Sequence, residues 1–247
     1  MRFLSLLIIV LLLTACKEQP ELTAQSIVDQ AIAAACPGGC DQVEVQFDFR
    51  DKQYKSLRDN GLFTYERIFS DSLGMVRDQL RNDGFTRFVN DTVSVIADSM
   101  AFKYSNSVNS VHYFSQLPYG LNDPAVNKDY LGEVMIAGKP YHAVKVTFQQ
   151  EGGGKDFEDE FLYWFSVADY RLDYLAYNYI TDGGGVRFRE AFNQRVIRGV
   201  WFADYRNFKP EDKTTPLTEL PGLFEAQKLQ LLSLIELENV VVRRPGS

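Results

Sequence analysis

The residues best suited to chemistry lie between Val186 and Arg195. Read as a strand, Arg187, Arg189, Asn193 and Arg195 share one face, and Val186, Phe188 and Phe192 share the other. Three guanidiniums on one face can grip a carboxylate, phosphate or sulfate through paired hydrogen bonds. Two arrangements fit the pattern. Either the arginines point into an interior and recognise an anion, or they face water and pair with carboxylates of neighbouring strands. The same region is crowded with aromatics, among them Tyr163, Trp164, Phe165, Tyr174, Tyr177, Trp201 and Tyr205. Aromatic walls with a few polar tips suit an amphipathic ligand, and they equally suit a plain core. The candidate ligand-binding residues are therefore Arg187, Arg189, Arg195, Tyr163, Phe165, Tyr177 and Trp201.

Other chemistries find less support. There are two histidines, His112 and His142. His142 alternates in phase with Val144, Val146 and Phe148, and His112 lies beside Val111 and Tyr113, so each reads as a satisfied side chain in or near a core. No Gly-x-Ser-x-Gly, His-Glu-x-x-His or phosphate-loop pattern occurs, and no cofactor is expected. The acidic run Asp156-Phe157-Glu158-Asp159-Glu160 lacks calcium-loop spacing and reads as a solvated charge run. Cys36 and Cys40, in Cys-Pro-Gly-Gly-Cys, form a disulfide or remain two free thiols. A metal site is not expected, because no further cysteine pair or histidine cluster accompanies them. If the chain were an enzyme, the arginine face would need a nearby carboxylate such as Asp123 or Asp159.

The elements that must position these residues are mostly strands. Val43, Val45, Phe47 and Phe49 alternate with Glu44, Gln46 and Asp48, the pattern of a strand with one wet side. Similar runs at Leu62–Phe69, Met75–Leu80, Thr86–Val89, Val93–Ala97, Val134–Ile136, Tyr141–Phe148, Phe161–Val167, Leu172–Tyr179, Val186–Val196 and Val200–Tyr205 are separated by turn residues. Leu229–Val242 reads as one further strand, and Glu151–Lys155 as a hairpin tip. Both faces of Phe161–Val167 are apolar, so both must be covered. Helical spacing marks Leu22–Ala35, Ser107–Leu117 and Leu217–Ala226. The expected class is α+β: about ten or eleven strands in one large curled antiparallel sheet, an incomplete β-barrel, with an amino-terminal helix and lid helices over its mouth.

The chain of 247 residues carries a formal charge of −7, which argues against nucleic acid as a partner. Its start, Met1-Arg2 followed by an apolar run from Phe3 to Leu13, reads as an export signal too short to span a bilayer. The run ends in Leu13-Thr14-Ala15-Cys16, which matches the bacterial lipobox. That motif implies cleavage after residue 15 and lipidation of the Cys16 thiol. Burying acyl chains contributes roughly 0.8 kcal/mol per methylene, and two or three chains on one residue make a firm anchor. The expected organisation is a signal peptide (1–15), a lipidated tether (16–21) and one domain (22–247).

The order of elements, together with the lipobox, resembles the LolA/LolB superfamily. Members are unclosed barrels whose helical lid covers an apolar cavity for lipoprotein acyl chains. Phe47-Asp48-Phe49-Arg50-Asp51, the stretch Leu117–Val126, Tyr163-Trp164-Phe165 and Arg187-Phe188-Arg189 resemble segments of a Bacteroidota lipoprotein family with no activity to carry over. The resemblance implies a cavity for a lipid or amphipathic ligand; the expected protein is a non-enzymatic monomer anchored at the outer membrane, with the face it presents left open between the periplasm and the outside. The rivals are an enzyme or binder for an anionic envelope metabolite, using the Arg187/Arg189/Arg195 face, and a structural partner in an outer-membrane assembly.

Overall fold

The computed structural model describes residues 21–149, 158–180 and 183–244. The expected signal peptide, Cys16, the tether up to residue 20 and the 151–155 tip lie outside the described residues. Within them, helix α1 (Ala24–Ala35) leads into six strands: β1 (Gln42–Phe49), β2 (Lys52–Asp59), β3 (Leu62–Asp71), β4 (Gly74–Arg81), β5 (Gly84–Val89) and β6 (Thr92–Ser94). Helix α2 (Asp98–Ser115) follows. Then come β7 (Val126–Ile136), β8 (Lys139–Phe148), β9 (Phe161–Ser166), β10 (Leu172–Tyr179), β11 (Gly185–Ile197) and β12 (Val200–Lys209). A short helix α3 (Leu220–Glu225) precedes β13 (Gln230–Ile235) and β14 (Glu238–Arg243).

The strands form two seven-stranded antiparallel sheets, ordered β14-β1-β2-β3-β4-β5-β6 and β13-β12-β11-β10-β9-β8-β7. Each is a run of hairpins, and only β14 returns from the far end of the chain to pair with β1. Two residues, Glu236 and Leu237, separate β13 in the second sheet from β14 in the first. The expected α+β class with an unclosed antiparallel arrangement is what is observed, with more strands than the ten or eleven expected. Leu229–Val242 holds two strands instead of one. Lys52–Asp59 is a strand whose inward side chains are Tyr54, Ser56 and Arg58, while Leu57 points outward. No apolar alternation marks it.

Of five register shifts among the described residues, those in β7, β10 and β11 decide which face the side chains near the concave side reach. In β7 the register shifts between Tyr130 and Gly132, and Gly132 adopts φ +97 there. Val126 and Tyr130 therefore pack on the concave side, whereas Val134 and Ile136 pack on the convex side. A shift between Leu172 and Tyr174 does the same in β10. A third lies between Phe192 and Arg195 in β11.

Both faces of the second sheet are covered. Five consecutive residues of β9, Phe161 to Phe165, are buried. On the convex face α3 lays Leu220, Leu223 and Phe224 over Trp164, Tyr174 and Phe188. On the concave face Ile27, Val28 and Ala31 of α1 join a core with Tyr163, Phe165, Leu175 and Trp201. Helix α1 is fixed at its start by a capping box, in which Thr23 and Ser26 satisfy each other's backbone N–H groups.

Candidate functional site

Helix α2 lies between the sheets and presents a different stripe to each. Tyr104, Ser107, Val108 and His112 recur at helical spacing and face the first sheet. There a cross-strand row of charged side chains lies buried beneath the helix. Asp78 on β4 is fully buried and accepts from Arg67 Nη2 at 2.6 Å and from Arg87 Nε at 2.6 Å. Arg67 reaches on to the Ser107 hydroxyl at 2.7 Å, and Arg87 stacks 3.6 Å from the centre of the Tyr104 ring. One turn further, His112 stacks on Tyr65 and lies 3.1 Å from the Glu66 carbonyl through Nε2. Burial depresses its pKa to about 4, so the ring is neutral at physiological pH.

The adjoining stripe of α2, with Asn106, Asn109, Ser110 and Tyr113, roofs a cavity of about 450 Å³ over the second sheet. Phe161, Tyr177, Arg189, Ala203 and Tyr205 come from the sheet, Phe148 from β8, and Ile235 and Leu237 from the corner. The roof is tied to this sheet by the Tyr113 and Tyr163 hydroxyls, 2.6 Å apart. Burial raises the pKa of both phenols, and that of Tyr205, so all three stay protonated.

Arg189 carries the cavity's most deeply set positive charge. It is 7% exposed. Its Nη2 donates to the Tyr177 hydroxyl at 2.9 Å, and its guanidinium lies 4.0 Å over the Phe114 ring. Nε has no hydrogen-bond partner, and no carboxylate among the described residues pairs with this guanidinium. Asn207 sits directly across from it on β12, and its side-chain oxygen is likewise buried without a partner. Asp159 also lines the wall. It is buried rather than solvated as its charge run suggested, and it is engaged in an interaction of its own.

The seven candidate ligand residues are split by this geometry. Arg189 and Tyr177 line the cavity. Arg187 lies at its margin, donating to the Tyr179 hydroxyl at 2.5 Å. That pair passes over Gly185, where a Cβ would come within 2.8 Å of the Tyr179 oxygen. Tyr163 is beneath the roof and meets it through Tyr113. Phe165 and Trp201 belong to the core filled by α1. Arg195 leaves the shared arginine face at the bulge after Phe192. It bonds Asp204 at 3.1 Å and the Leu237 carbonyl at 2.6 Å instead. Asp204 is buried and also accepts from the Leu237 N–H at 2.9 Å and from Asn193 at 2.6 Å, so this cluster fastens the corner between the sheets.

The remaining candidates are placed as follows. Asp123 accepts from the Ala125 N–H in a turn and is not on the cavity wall. His142 is buried beside Tyr130 and Tyr170, and burial lowers its pKa. Cys36 and Cys40 are joined by a disulfide. Among the described residues no three His, Cys, Asp or Glu side chains gather as metal ligands, and no helix is long and apolar enough to cross a membrane. The roof residues Asn109, Tyr113 and Phe114 escaped the sequence reading. Their spacing along Ser107–Leu117 was the available signal, but their mixed polarity hid it.

A family model described as a family of unknown function, DUF6503, matches residues 1–237. The chain belongs to that family. No curated protein matches the chain in sequence. Among solved structures, this DUF6503 chain is similar in fold to a LolA superfamily protein from Nitrosomonas europaea. That likeness has a TM-score of 0.51 at 12% identity and covers 90% of this chain and 94% of the other. A DUF1329 family protein from Desulfovibrio piger aligns with a TM-score of 0.54 at 12% identity, over 90% and 93%. At that identity the likeness concerns the fold alone.

Proposed function

We propose that this chain is a non-enzymatic, lipid-anchored protein of the bacterial cell envelope whose half-barrel cavity holds a hydrophobic or amphipathic ligand. The observation that carries the reading is the aromatic-walled cavity of about 450 Å³ under α2, a size within the usual range for small-molecule sites. The LolA superfamily likeness supports the architecture. Leu13-Thr14-Ala15-Cys16 supports export and acylation, and the reading takes the anchored protein to be a monomer at the outer membrane. The Cys36–Cys40 disulfide suits an oxidising compartment.

Two measurements test the reading. Cells fed an alkyne-labelled palmitate should label the wild-type chain and not Cys16→Ser; an unlabelled wild type removes the anchor. Native mass spectrometry after mild extraction should find a co-purifying lipid or uptake of an added fatty acid. A protein that carries and takes up neither contradicts the cavity's role.

A further inference from the structure

We infer that the cavity selects an anionic single-chain amphiphile, with its head on Arg189 and its tail beneath α2. The inference rests on the cavity reading above and adds the ligand's chemical class.

A guanidinium removed from water is stable only when its charge and its N–H groups are answered. Arg67 and Arg87 obey this rule through Asp78, and Arg195 through Asp204. Arg189 does not. It is buried, its Nε lacks an acceptor, and among the described residues its partners are a phenol and two aromatic faces. Arg58 is also buried with an unpartnered Nε, but it borders a space of only about 10 Å³, too small for a ligand. Arg189 instead borders the large cavity. An oxyanion placed there would accept from Nε and neutralise the charge. Asn207 stands directly opposite in the strand pair, and turning its amide over presents two donors to the same head.

The wall is amphipathic: Asn106, Asn109, Ser110 and Asp159 are polar, and an apolar strip between them suits a chain. Phe114, Phe148, Phe161, Ile235 and Leu237 offer no hydrogen-bonding side chain. The size is also limiting. If each heavy atom fills about the 30 Å³ of a liquid water, the cavity holds on the order of fifteen, which fits one chain of about a dozen carbons with its head.

The test uses the folded chain from residue 17 onward and the neutral fluorophore N-phenyl-1-naphthylamine as the reporter. Dodecanoate, dodecyl phosphate and dodecanol displace it in parallel titrations below their micellar concentrations. At least one anion should bind ten-fold or more tightly than dodecanol, and which anion wins identifies a carboxylate or a phosphate head. Arg189→Met should cut that preference below three-fold, and Arg189→Lys should restore part of it. Equal binding of dodecanol and both anions to wild type overturns the head-group assignment and leaves the cavity reading standing. If neither the fluorophore nor any of the three binds, by fluorescence or calorimetry, the cavity reading itself falls.

Discussion

At the scale of single residues, the first sheet hides its charges where a core would ordinarily be apolar. His112 illustrates the consequence. Its folded pKa is about 4, against 6.5 for an unperturbed histidine. Between those values the unfolded chain binds the extra proton and the folded chain does not. The neutral ring's contribution is therefore complete above about pH 6.5 and is lost as pH falls toward 4, at roughly 3 kcal/mol in all. His142 shifts in the same direction, so the test is a difference. Urea-unfolding free energies from pH 7 to pH 4 should fall by about 3 kcal/mol more in wild type than in His112→Gln. Parallel pH profiles would show that His112 titrates normally. Asp78 gives a second case. Asp78→Asn leaves the buried Arg67 and the half-buried Arg87 guanidiniums without their counter-charge, and it should lower the unfolding free energy at pH 7 by about 3–5 kcal/mol. A loss below 1 kcal/mol would mean that water already screens the cluster.

At the scale of elements, α2 is the piece that makes a cavity out of two sheets. It is held to the first sheet by Arg67, Tyr104, Ser107 and His112, and to the second through the Tyr113–Tyr163 hydroxyl pair. Replacing one tyrosine by phenylalanine strands the other hydroxyl in a buried site, so each single variant should lose about 1–3 kcal/mol. The double variant should lose less than the sum of the two, with a coupling of about 1 kcal/mol in a double-mutant cycle. Strict additivity would mean that the two hydroxyls do not interact. The strands that the sequence pattern reveals are those with apolar inward faces, such as β1 with Val43, Val45 and Phe47. The pattern misses β2 because Tyr54, Ser56 and Arg58 hold the inward positions. It starts α2 at Ser107 because Met100, Ala101 and Phe102 are adjacent, not helically spaced, and polar residues flank them. It merges β13 and β14 because Leu237, at the corner, is as apolar as the strands that it joins.

At the scale of the whole molecule, the concave face is divided between a filled half and an open half. Helix α1 fills the end lined by Phe165 and Trp201, and α2 stands off the end lined by Phe161, Tyr177 and Arg189. Aromatic content alone cannot tell the two halves apart, because both need large apolar side chains. Nor does strict alternation locate the arginines. Arg189 and Arg195 stand six residues apart and nominally in phase, yet the bulge between Phe192 and Arg195 sends one to the cavity and the other to the corner. A bulge depends on how β11 pairs with β12, which local spacing does not encode. The two arginines should accordingly fail in different ways. A ligand present at a hundred times its Kd and bound only by the folded chain adds about 2.7 kcal/mol of stability. For a chain of this size that corresponds to a rise of about 5–10 °C in Tm. Wild type with an excess of whichever dodecyl anion binds should show that rise. Arg195→Met should lower the unliganded Tm, because Asp204 loses a charged partner and the Leu237 carbonyl a donor, but its ligand-induced rise should match wild type. Arg189→Met should instead keep an unliganded Tm near wild type and lose most of the rise at the same concentration. If both variants lost the rise equally, the corner and the cavity would be one cooperative site, and the division of labour between the two arginines would be refuted.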